Sequence, residues 1–276
     1  MSTTSEGPNL ETTTTAIDES RAELREVSLD IHAHPELNYQ EHHAAKLLAD
    51  TLEKRGFAVE RGIGGVETAF CGTLQGGSGD GPTVAILAEY DALPDVGHGC
   101  GHNLIATTAL GAGIGVQANL TNLPGRIVVV GTPAEEGGGG KIRLLDAGVF
   151  EGIDVVLSSH PSSNRTFVPV DIPLEESWSL AMVGFRYAYH GKAAHAAAIP
   201  ESGINALNAV IHLFTGIDAL RQHLREDVRI HGVITDGGKA PNVVPDFAAA
   251  NFMLRCRDRQ YLSDVVVDKV KQVAEG

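Results

Sequence analysis

Short apolar runs that lead directly into metal-binding residue types are the feature that most constrains this fold. Residues 127–130 read Ile-Val-Val-Val and lead into Thr-Pro-Ala-Glu-Glu-Gly at residues 132–137. Residues 155–157 read Val-Val-Leu and lead into Ser-His-Pro at residues 159–161. Continuous apolar runs of this length are typical of strands buried in a parallel sheet. Open α/β sheets carry their sites at the carboxyl ends of the strands, so we expect a site at that edge.

A third segment supplies a thiol and an imidazole one residue apart. Residues 97–103 read Gly-His-Gly-Cys-Gly-His-Asn and follow another predicted strand. Each segment alone is weak, because Cys-x-His is usually a buried cysteine, paired glutamates are usually solvated and His-Pro is usually a turn. Together they offer ligand types that zinc and similar divalent ions prefer. The candidate ligands are Cys100, His102, one of the adjacent carboxylates of Glu135 and Glu136, and His160, and they predict a metal-dependent hydrolase.

The first part of the chain alternates between helical and strand patterns. Residues 1–16 are polar and Thr-rich and are predicted to be a disordered head, and a helical pattern follows over 17–56 with a break at residues 34–35. The remaining elements are strands at 57–61, 67–74, 83–89, 126–131 and 154–159, and helices at 102–119 and 140–147. Strands alternating with helices predict an α/β fold whose mostly parallel sheet is covered on both faces.

The pattern changes near Pro173, where we place a domain boundary. The catalytic metal-binding domain then covers residues 17–173, and a smaller domain covers residues 174–276. Its predicted elements are a strand at 177–190, a helix at 204–224, strands at 228–235 and 247–255, and a helix from 261 onward. This order is typical of a small α+β domain of ferredoxin-like type.

Two glycine-rich stretches do not indicate nucleotide binding. Residues 111–115 read Gly-Ala-Gly-Ile-Gly, but they lie inside a predicted helix and lack the dinucleotide spacing, so close helix packing is expected. The glycines at 137–140 could cradle a phosphate at a helix start. No Lys-Ser or Lys-Thr pair follows them, so we interpret them as flexibility beside a metal site.

Composition narrows the possible partners and compartment. The 276-residue chain has a formal net charge of -14 and a pI near 5.2, which argues against nucleic acid and anionic membranes as partners. No apolar run approaches the roughly 20 residues of a transmembrane helix. Three widely spaced cysteines and a polar start without a signal-peptide pattern predict a cytoplasmic protein. A reducing cytoplasm would keep Cys100 available as a thiolate.

Six motifs in fixed order carry a resemblance to a known family. They are His-Ala-His-Pro-Glu-Leu at 32–37, Glu-Tyr-Asp-Ala-Leu-Pro at 89–94, Gly-Cys-Gly-His-Asn at 99–103, Pro-Ala-Glu-Glu at 133–136, Gly-Lys-Ala-Ala-His-Ala at 191–196 and Gly-Gly-Lys-Ala-Pro-Asn-Val-Val-Pro-Asp at 237–246. The chain resembles the metal-dependent aminoacylase and carboxypeptidase family of amidohydrolases. Within it, the chain is most similar to the cysteine-bearing branch of auxin-conjugate, hippurate and aminobenzoyl-glutamate hydrolases, near its dipeptidase-like subgroup.

The resemblance implies a two-metal hydrolase with zinc or manganese, acting on small N-acyl amino acids or dipeptides. It implies a catalytic domain with an inserted lid domain that also forms a homodimer. The implied metal ligands are Cys100, His102, Glu136 and His160. Glu135 is the implied general base, taking a proton from a water whose pKa the metals lower.

Three further residues take implied roles, each with a simpler alternative. Asp91 would orient a ligand side chain, or would only cap a strand end. His195 would help to hold the tetrahedral oxyanion, often from the partner subunit, or would be a surface histidine. Asn242 would contact substrate, or would only form an Asx-turn. His32, His34, His42 and His43 are interpreted as structural.

Other functions stay open at this point. One alternative is a non-catalytic metal-binding dimer or an inactive fragment. A purely structural metal site needs ligands but no free carboxylate beside them, so Glu135 favours the enzyme. A thiol enzyme could use Cys100 as nucleophile and His102 as base, although residues two apart in a glycine loop rarely meet a third orienting group. The resemblance also leads us to expect a further C-terminal segment with one more histidine ligand, so that these 276 residues alone show little amidase activity.

Overall fold

Two separate cores divide this computed structural model into the units Met1–Thr166 and Phe167–Gly276. The structure describes residues 9–77, 80–121, 123–162 and 180–276, and the predicted boundary at Pro173 lies outside these ranges. The helices of the first unit are α1 Leu10–Glu19, α2 Arg21–Ala33, α3 His42–Lys54, α4 His102–Leu120 and α5 Gly140–Asp146. Its strands are β1 Ala58–Arg61, β2 Phe70–Gln75, β3 Thr83–Ala88, β4 Arg126–Gly131 and β5 Val155–Leu157.

The first sheet has the strand order β1-β2-β4-β3-β5. Strand β2 pairs antiparallel with both β1 and β4, whereas β3 pairs parallel with β4 and β5. Four of the five strands therefore run in one direction, and the mostly parallel sheet is confirmed. The connection from β1 to β2 is too short for a crossover, so these strands pair antiparallel, while α4 provides the crossover from β3 to β4.

Side chains of β4 alternate between two apolar clusters on opposite faces of the sheet. Ile127 and Val129 belong to the cluster that α2, α3 and α4 cover. Val128 and Val130 belong to a second cluster that includes Leu144 from α5. This period-two alternation buries both faces of the central strand, as a sheet covered on both sides requires.

The predicted disordered head is wrong for residues 10–16, which form most of α1. The Asn9 side chain accepts from the backbone of Glu11 and Thr12 and so caps the helix. Asn119 on α4 accepts from the Asn9 backbone N–H at 3.2 Å and donates to the Asn9 carbonyl at 3.2 Å. A polar composition was misleading here because the cap and these long-range hydrogen bonds hold the helix.

The glycines of α4 allow close packing, which confirms that interpretation over dinucleotide binding. A Cβ atom at Gly113 would lie 2.9 Å from the Val129 side chain, and one at Gly115 would lie 2.9 Å from Ile17. Both distances are shorter than real carbon contacts, so only glycine fits without movement. The helix therefore lies directly against β4 on one side and α1 on the other.

The second unit is a small α+β arrangement, as predicted. Its elements are β6 Ala181–His190, α6 Ala206–Leu220, β7 Arg229–Asp236, β8 Phe247–Cys256, α7 Arg259–Tyr261 and α8 Val267–Glu275, with a π-helical turn between α7 and α8. The antiparallel sheet has the order β6-β8-β7, so β8 lies between the strands that α6 connects. Leu213, Leu254 and Val270 belong to its buried core. Within the described ranges, no helix is both long and apolar enough to cross a membrane.

Two glycine substitutions in strands should differ in their effect on the free energy of unfolding. A Cβ atom at Gly131 would lie 2.2 Å from the ring of Phe70, which is buried and stacked on Tyr90. We expect Gly131→Ala to lower the free energy of unfolding by about 1–3 kcal/mol through overpacking. At Gly184 the nearest atom is 3.9 Å away, so Gly184→Ala should be neutral or slightly stabilising. Urea denaturation followed by circular dichroism measures both, and equal losses would contradict this packing.

Candidate metal centre

The candidate ligands of the first unit lie at one edge of its sheet. Glu89 directly follows β3, and residues 132–136 directly follow β4. His160 follows β5 by three residues, and His102 is the first residue of α4. The parallel direction of β3, β4 and β5 places their carboxyl ends together, which brings distant segments of the chain to one place.

His102 is buried in a ring of carboxylates. Its Nδ1 atom donates to Asp91 Oδ1 at 2.9 Å, which leaves Nε2 unprotonated in the neutral ring. Among the described residues, Nε2 has no hydrogen-bond partner although it is buried. The oxygens facing it are Glu89 Oε2 at 3.4 Å, Glu136 Oε1 at 3.6 Å and Glu135 Oε2 at 3.9 Å. A buried lone pair facing three carboxylates is unfavourable unless a proton or a metal ion lies between them, and the imidazole and carboxylate donors fit a divalent metal ion.

The protonation of His102 reflects the negative charge around it. Burial lowers the pKa of His102, but the hydrogen bond to Asp91 and the charges of Asp91, Glu89 and Glu136 together raise it above its ordinary value. The site therefore attracts positive charge, whether as a proton or as a metal ion.

Cys100 borders the same carboxylates. Its hydrogen bond to Glu136, together with burial and nearby carboxylates, raises the pKa of the Cys100 thiol to about 11. A thiol with this pKa is a poor nucleophile at neutral pH, which argues against the thiol-enzyme hypothesis. The cysteine can become a thiolate ligand when a bound cation replaces its proton.

Asp91 connects His102 to the segment that carries the two glutamates. Asp91 Oδ1 accepts from His102 Nδ1, and Asp91 Oδ2 accepts from the Glu136 backbone N–H at 2.8 Å. Burial raises the pKa of Asp91, but these two hydrogen bonds bring it below its ordinary value. The carboxylate is therefore ionised, and it holds both partners through separate oxygens.

A strained residue precedes the glutamates. Ala134 is fully buried and has φ 58°, in the left-handed region that residues other than glycine rarely adopt. Its backbone N–H donates to Glu41 Oε1 at 2.9 Å, and Thr68 donates to Glu41 Oε2 at 3.1 Å. Such strain persists where surrounding contacts fix the backbone, and here it turns Glu135 and Glu136 toward His102. The sequence pattern gives no signal for this role of Glu41, because its partner is 93 residues away.

Two of the glycines after Glu136 serve close packing, a role that the sequence did not predict. A Cβ atom at Gly140 would lie 1.8 Å from the carbonyl oxygen of Pro133. One at Gly138 would lie 2.5 Å from Ala134 Cβ. Side chains at these positions would push the 132–140 segment away from its present path.

Lys141 and Glu89 form an ion pair that the sequence did not predict. Lys141 Nζ lies 2.7 Å from Glu89 Oε1 and 3.9 Å from Glu135 Oε1. Glu89 is buried, so the positive charge of Lys141 offsets one of the negative charges around His102. Glu89 also belongs to a group with His102 and Glu135 whose potential ligand atoms all lie within 4.8 Å of one another. Its position directly after a strand was the available signal.

His160 lies beside His102 but is more exposed. The two ring centroids are 6.1 Å apart, with the rings edge to face. His160 Nδ1 lies 2.8 Å from the Pro161 carbonyl oxygen, so this nitrogen donates and Nε2 carries the lone pair. Both imidazoles therefore present Nε2 as a potential ligand atom.

His195 and Asn242 belong to the second unit and lie next to each other there. The backbone N–H groups of Ala197 and Ala198 each donate to His195 Nδ1 at 3.2 Å. His195 Nε2 therefore carries the ring proton in the neutral form, and the side chain is exposed. Asn242 is also exposed, and its carbonyl accepts from the Ala196 backbone N–H at 3.0 Å. This loop presents one ring N–H donor to solvent.

The known proteins that this chain resembles are peptidases and amidohydrolases. Residues 181–276 match the peptidase dimerisation domain of the M20 family. The chain is 40% identical over 252 residues to an Xaa-Arg dipeptidase of Mus musculus, covering 87% of this chain and 56% of that protein. It is 34% identical over 283 residues to one subunit of the p-aminobenzoyl-glutamate hydrolase of Escherichia coli, covering 95% of this chain and 56% of that protein.

A solved structure shares the fold. A dinuclear metal-binding peptidase from the M20 family of Bacillus subtilis superposes with a TM-score of 0.67 at 23% identity, covering 94% of this chain and 70% of that chain. The chain spans a little over half the length of both curated relatives, the Xaa-Arg dipeptidase and the aminobenzoyl-glutamate hydrolase subunit.

Replacing Asp91 should weaken metal binding. Both of its partners donate hydrogen bonds, and an Asn side chain offers only one accepting oxygen, so Asp91→Asn leaves one donor unpaired. We expect divalent metal affinity to fall about 10- to 100-fold, as when other groups that orient metal ligands are removed. Competition with a chromogenic chelator measures the affinity. Asp95→Asn, at an exposed position, is the matched control, and equal affinity in both variants would contradict the role of Asp91.

Proposed function

The chain is a homologue of the M20 metallopeptidases and amidohydrolases and carries their dimerisation domain, and we propose that it serves metal-dependent hydrolysis. The bond cleaved is the amide or peptide bond of a small dipeptide or N-acyl amino acid. The metal is zinc or manganese, with two ions per subunit. The relatives that support this substrate class are the Xaa-Arg dipeptidase and the aminobenzoyl-glutamate hydrolase.

One observation carries the proposal more than any other. The Nε2 atom of His102 is buried without a partner among the described residues and faces Glu89, Glu135 and Glu136. A merely structural imidazole would direct this atom to a donor. The arrangement instead supports a cation held by Cys100, His102, Glu136 and His160, the residues that the family resemblance indicates.

Glu135 supports catalysis rather than simple metal storage. Bound divalent ions would lower the pKa of a water and polarise the scissile carbonyl. The Glu135 side chain is 42% exposed, compared with 17% for Glu136, so it is the more accessible of the pair. In our proposal its carboxylate accepts the proton of the attacking water and returns it to the leaving amine.

His195 is proposed to stabilise the oxyanion, and Asn242 to contact the substrate. The two backbone N–H groups on His195 Nδ1 support this role, because they leave an Nε2–H group as a donor. Asn242 lies beside it on the same exposed loop. A non-catalytic metal-binding dimer is the second candidate, and it would not need either group.

Location and assembly belong to the same proposal. The free cysteines Cys71, Cys100 and Cys256 support a reducing, cytoplasmic location. The matched dimerisation domain supports a homodimer. Val233 and Ile234 on strand β7, an edge strand of the described sheet, are exposed apolar residues that suit such pairing.

Metal content and substrate turnover together test the function. After reconstitution with zinc or manganese, elemental analysis of the 276-residue chain should find bound metal, and a panel of Xaa-Arg dipeptides and N-acyl amino acids should contain a substrate for the chain at the length of its relatives. A chelator should abolish hydrolysis, and added metal should restore it. Absence of bound transition metal in a chain with native circular dichroism would overturn the proposal. Bound metal without turnover by the chain extended to the length of its relatives would favour the non-catalytic candidate.

The two adjacent glutamates should have different phenotypes. Glu135→Gln removes the proposed base but no ligand, so kcat should fall by roughly 10² or more with metal retained. Glu136→Gln removes a ligand and should lower metal content itself. Steady-state kinetics and elemental analysis of both variants separate these effects. Equal metal loss in the two variants would refute the assignment.

Action of His195 across a dimer would appear as complementation. His195→Ala and Glu135→Gln proteins should each be inactive, and a mixed dimer should recover partial activity because one of its sites keeps both residues. Subunit exchange is followed by mass spectrometry of isotope-labelled chains. Mixing two preparations of His195→Ala is the control. Demonstrated exchange without any recovery would show that His195 does not act from the partner subunit.

A further inference from the structure

A second cluster of metal-binding residue types lies where α2 ends and α3 begins. Asp30 is in the last turn of α2, His34 directly follows that helix, and His43 is in the first turn of α3. Asp30 Oδ1 lies 2.7 Å from His34 Nδ1 and 2.7 Å from His43 Nε2. The two imidazole centroids are 4.5 Å apart. One carboxylate oxygen is therefore approached by ring nitrogens from two different elements.

We propose that Asp30, His34 and His43 bind a divalent transition-metal ion, and zinc is the ion used to test the site. Two imidazoles and one carboxylate form a donor set that such ions accept. All three potential ligand atoms already lie within 4.8 Å of one another. An ion about 2.1 Å from each atom needs them roughly 3.4 Å apart in tetrahedral geometry. The side chains are 40–59% exposed, so they can separate by that amount without repacking a core.

The electrostatic setting suits a cation. The last carbonyl groups of α2 carry the negative end of its helix dipole, and the Asp30 carbonyl oxygen lies 2.9 Å from His34 Nδ1. The hydrogen bond from His43 is the main reason that the pKa of Asp30 is lowered, so its carboxylate is ionised at neutral pH. A bound ion takes the place of the ring N–H groups that now face this carboxylate, and each neutral imidazole then carries its proton on its other ring nitrogen, Nε2 of His34 and Nδ1 of His43.

An ion here would join the two ends of the loop between α2 and α3. Within that loop Glu36 accepts from the backbone of His43 at 2.9 Å and of Ala44 at 3.0 Å, so it caps α3. Glu41 from the same loop holds the strained backbone of Ala134. Metal binding at Asp30, His34 and His43 therefore fastens a loop that positions the segment after β4. This cluster uses none of the residues of the candidate metal centre, so it can bind an ion whether or not the chain is a hydrolase.

Histidine modification mapped by peptide mass spectrometry tests this site without interference from the candidate metal centre. The full chain is treated with diethyl pyrocarbonate at increasing concentrations of zinc. At tenfold excess over the dissociation constant about nine tenths of the sites are occupied. Modification of His34 and His43 should then slow by about tenfold. Exposed His42, next to His43 but outside the cluster, is the internal control and should react at an unchanged rate.

A variant separates metal binding from simple hydrogen bonding. Asp30→Asn removes the charged ligand at a half-buried position, so zinc should no longer protect either histidine, while circular dichroism stays native. His42→Gln should keep full protection of both. Equal reactivity of His34, His43 and His42 at saturating zinc would overturn the proposal and leave a metal-free hydrogen-bond cluster. Zinc protection that persists in Asp30→Asn would also contradict it, because the carboxylate would not be a ligand.

Discussion

The two hydrogen bonds of the Asp91 carboxylate organise the whole candidate centre. One oxygen holds His102 in the tautomer that exposes Nε2, and the other holds the backbone of Glu136. The ligands therefore come from segments that are distant in sequence, and both segments hydrogen-bond to this buried anion. Because Asp91 is ionised and buried, both hydrogen bonds stabilise its charge, and Asp91 in turn satisfies both donors. We therefore expect metal affinity at this centre to depend on Asp91.

The sheet makes this arrangement possible because apolar side chains cover both of its faces, and polar groups lie at the carboxyl ends of its parallel strands. Apolar clusters on either side of β4 fix the strand, so the turn after it can hold strain. Ala134 adopts its left-handed conformation there, and the buried Glu41 satisfies its N–H group. Strain of this kind costs about 1–3 kcal/mol, which the surrounding hydrogen bonds and packing offset. The close approach of Gly140 to Pro133 belongs to the same tight turn.

Local pattern was sufficient for most of the fold. Apolar runs located β3, β4 and β5, and polar residues after them indicated the edge where the candidate ligands lie. Contacts between distant segments were not accessible in this way. The Lys141–Glu89 ion pair and the role of Glu41 depend on how the sheet brings separate loops together. The start of α1 was missed for the same reason, since Asn119 on α4 supports it. The close contacts at Gly138 and Gly140 were likewise not accessible from local pattern.

The most direct test of the account is the absorption spectrum of the cobalt-substituted protein. If Cys100 and His102 hold a divalent ion, cobalt should produce a near-ultraviolet sulfur-to-metal charge-transfer band, because the bound ion converts the thiol to a thiolate. That band should disappear in Cys100→Ser and persist in Cys71→Ser and Cys256→Ser, whose cysteines lie elsewhere in the chain. A cobalt-loaded protein without the band, or a band that Cys100→Ser leaves unchanged, would contradict the metal centre described above.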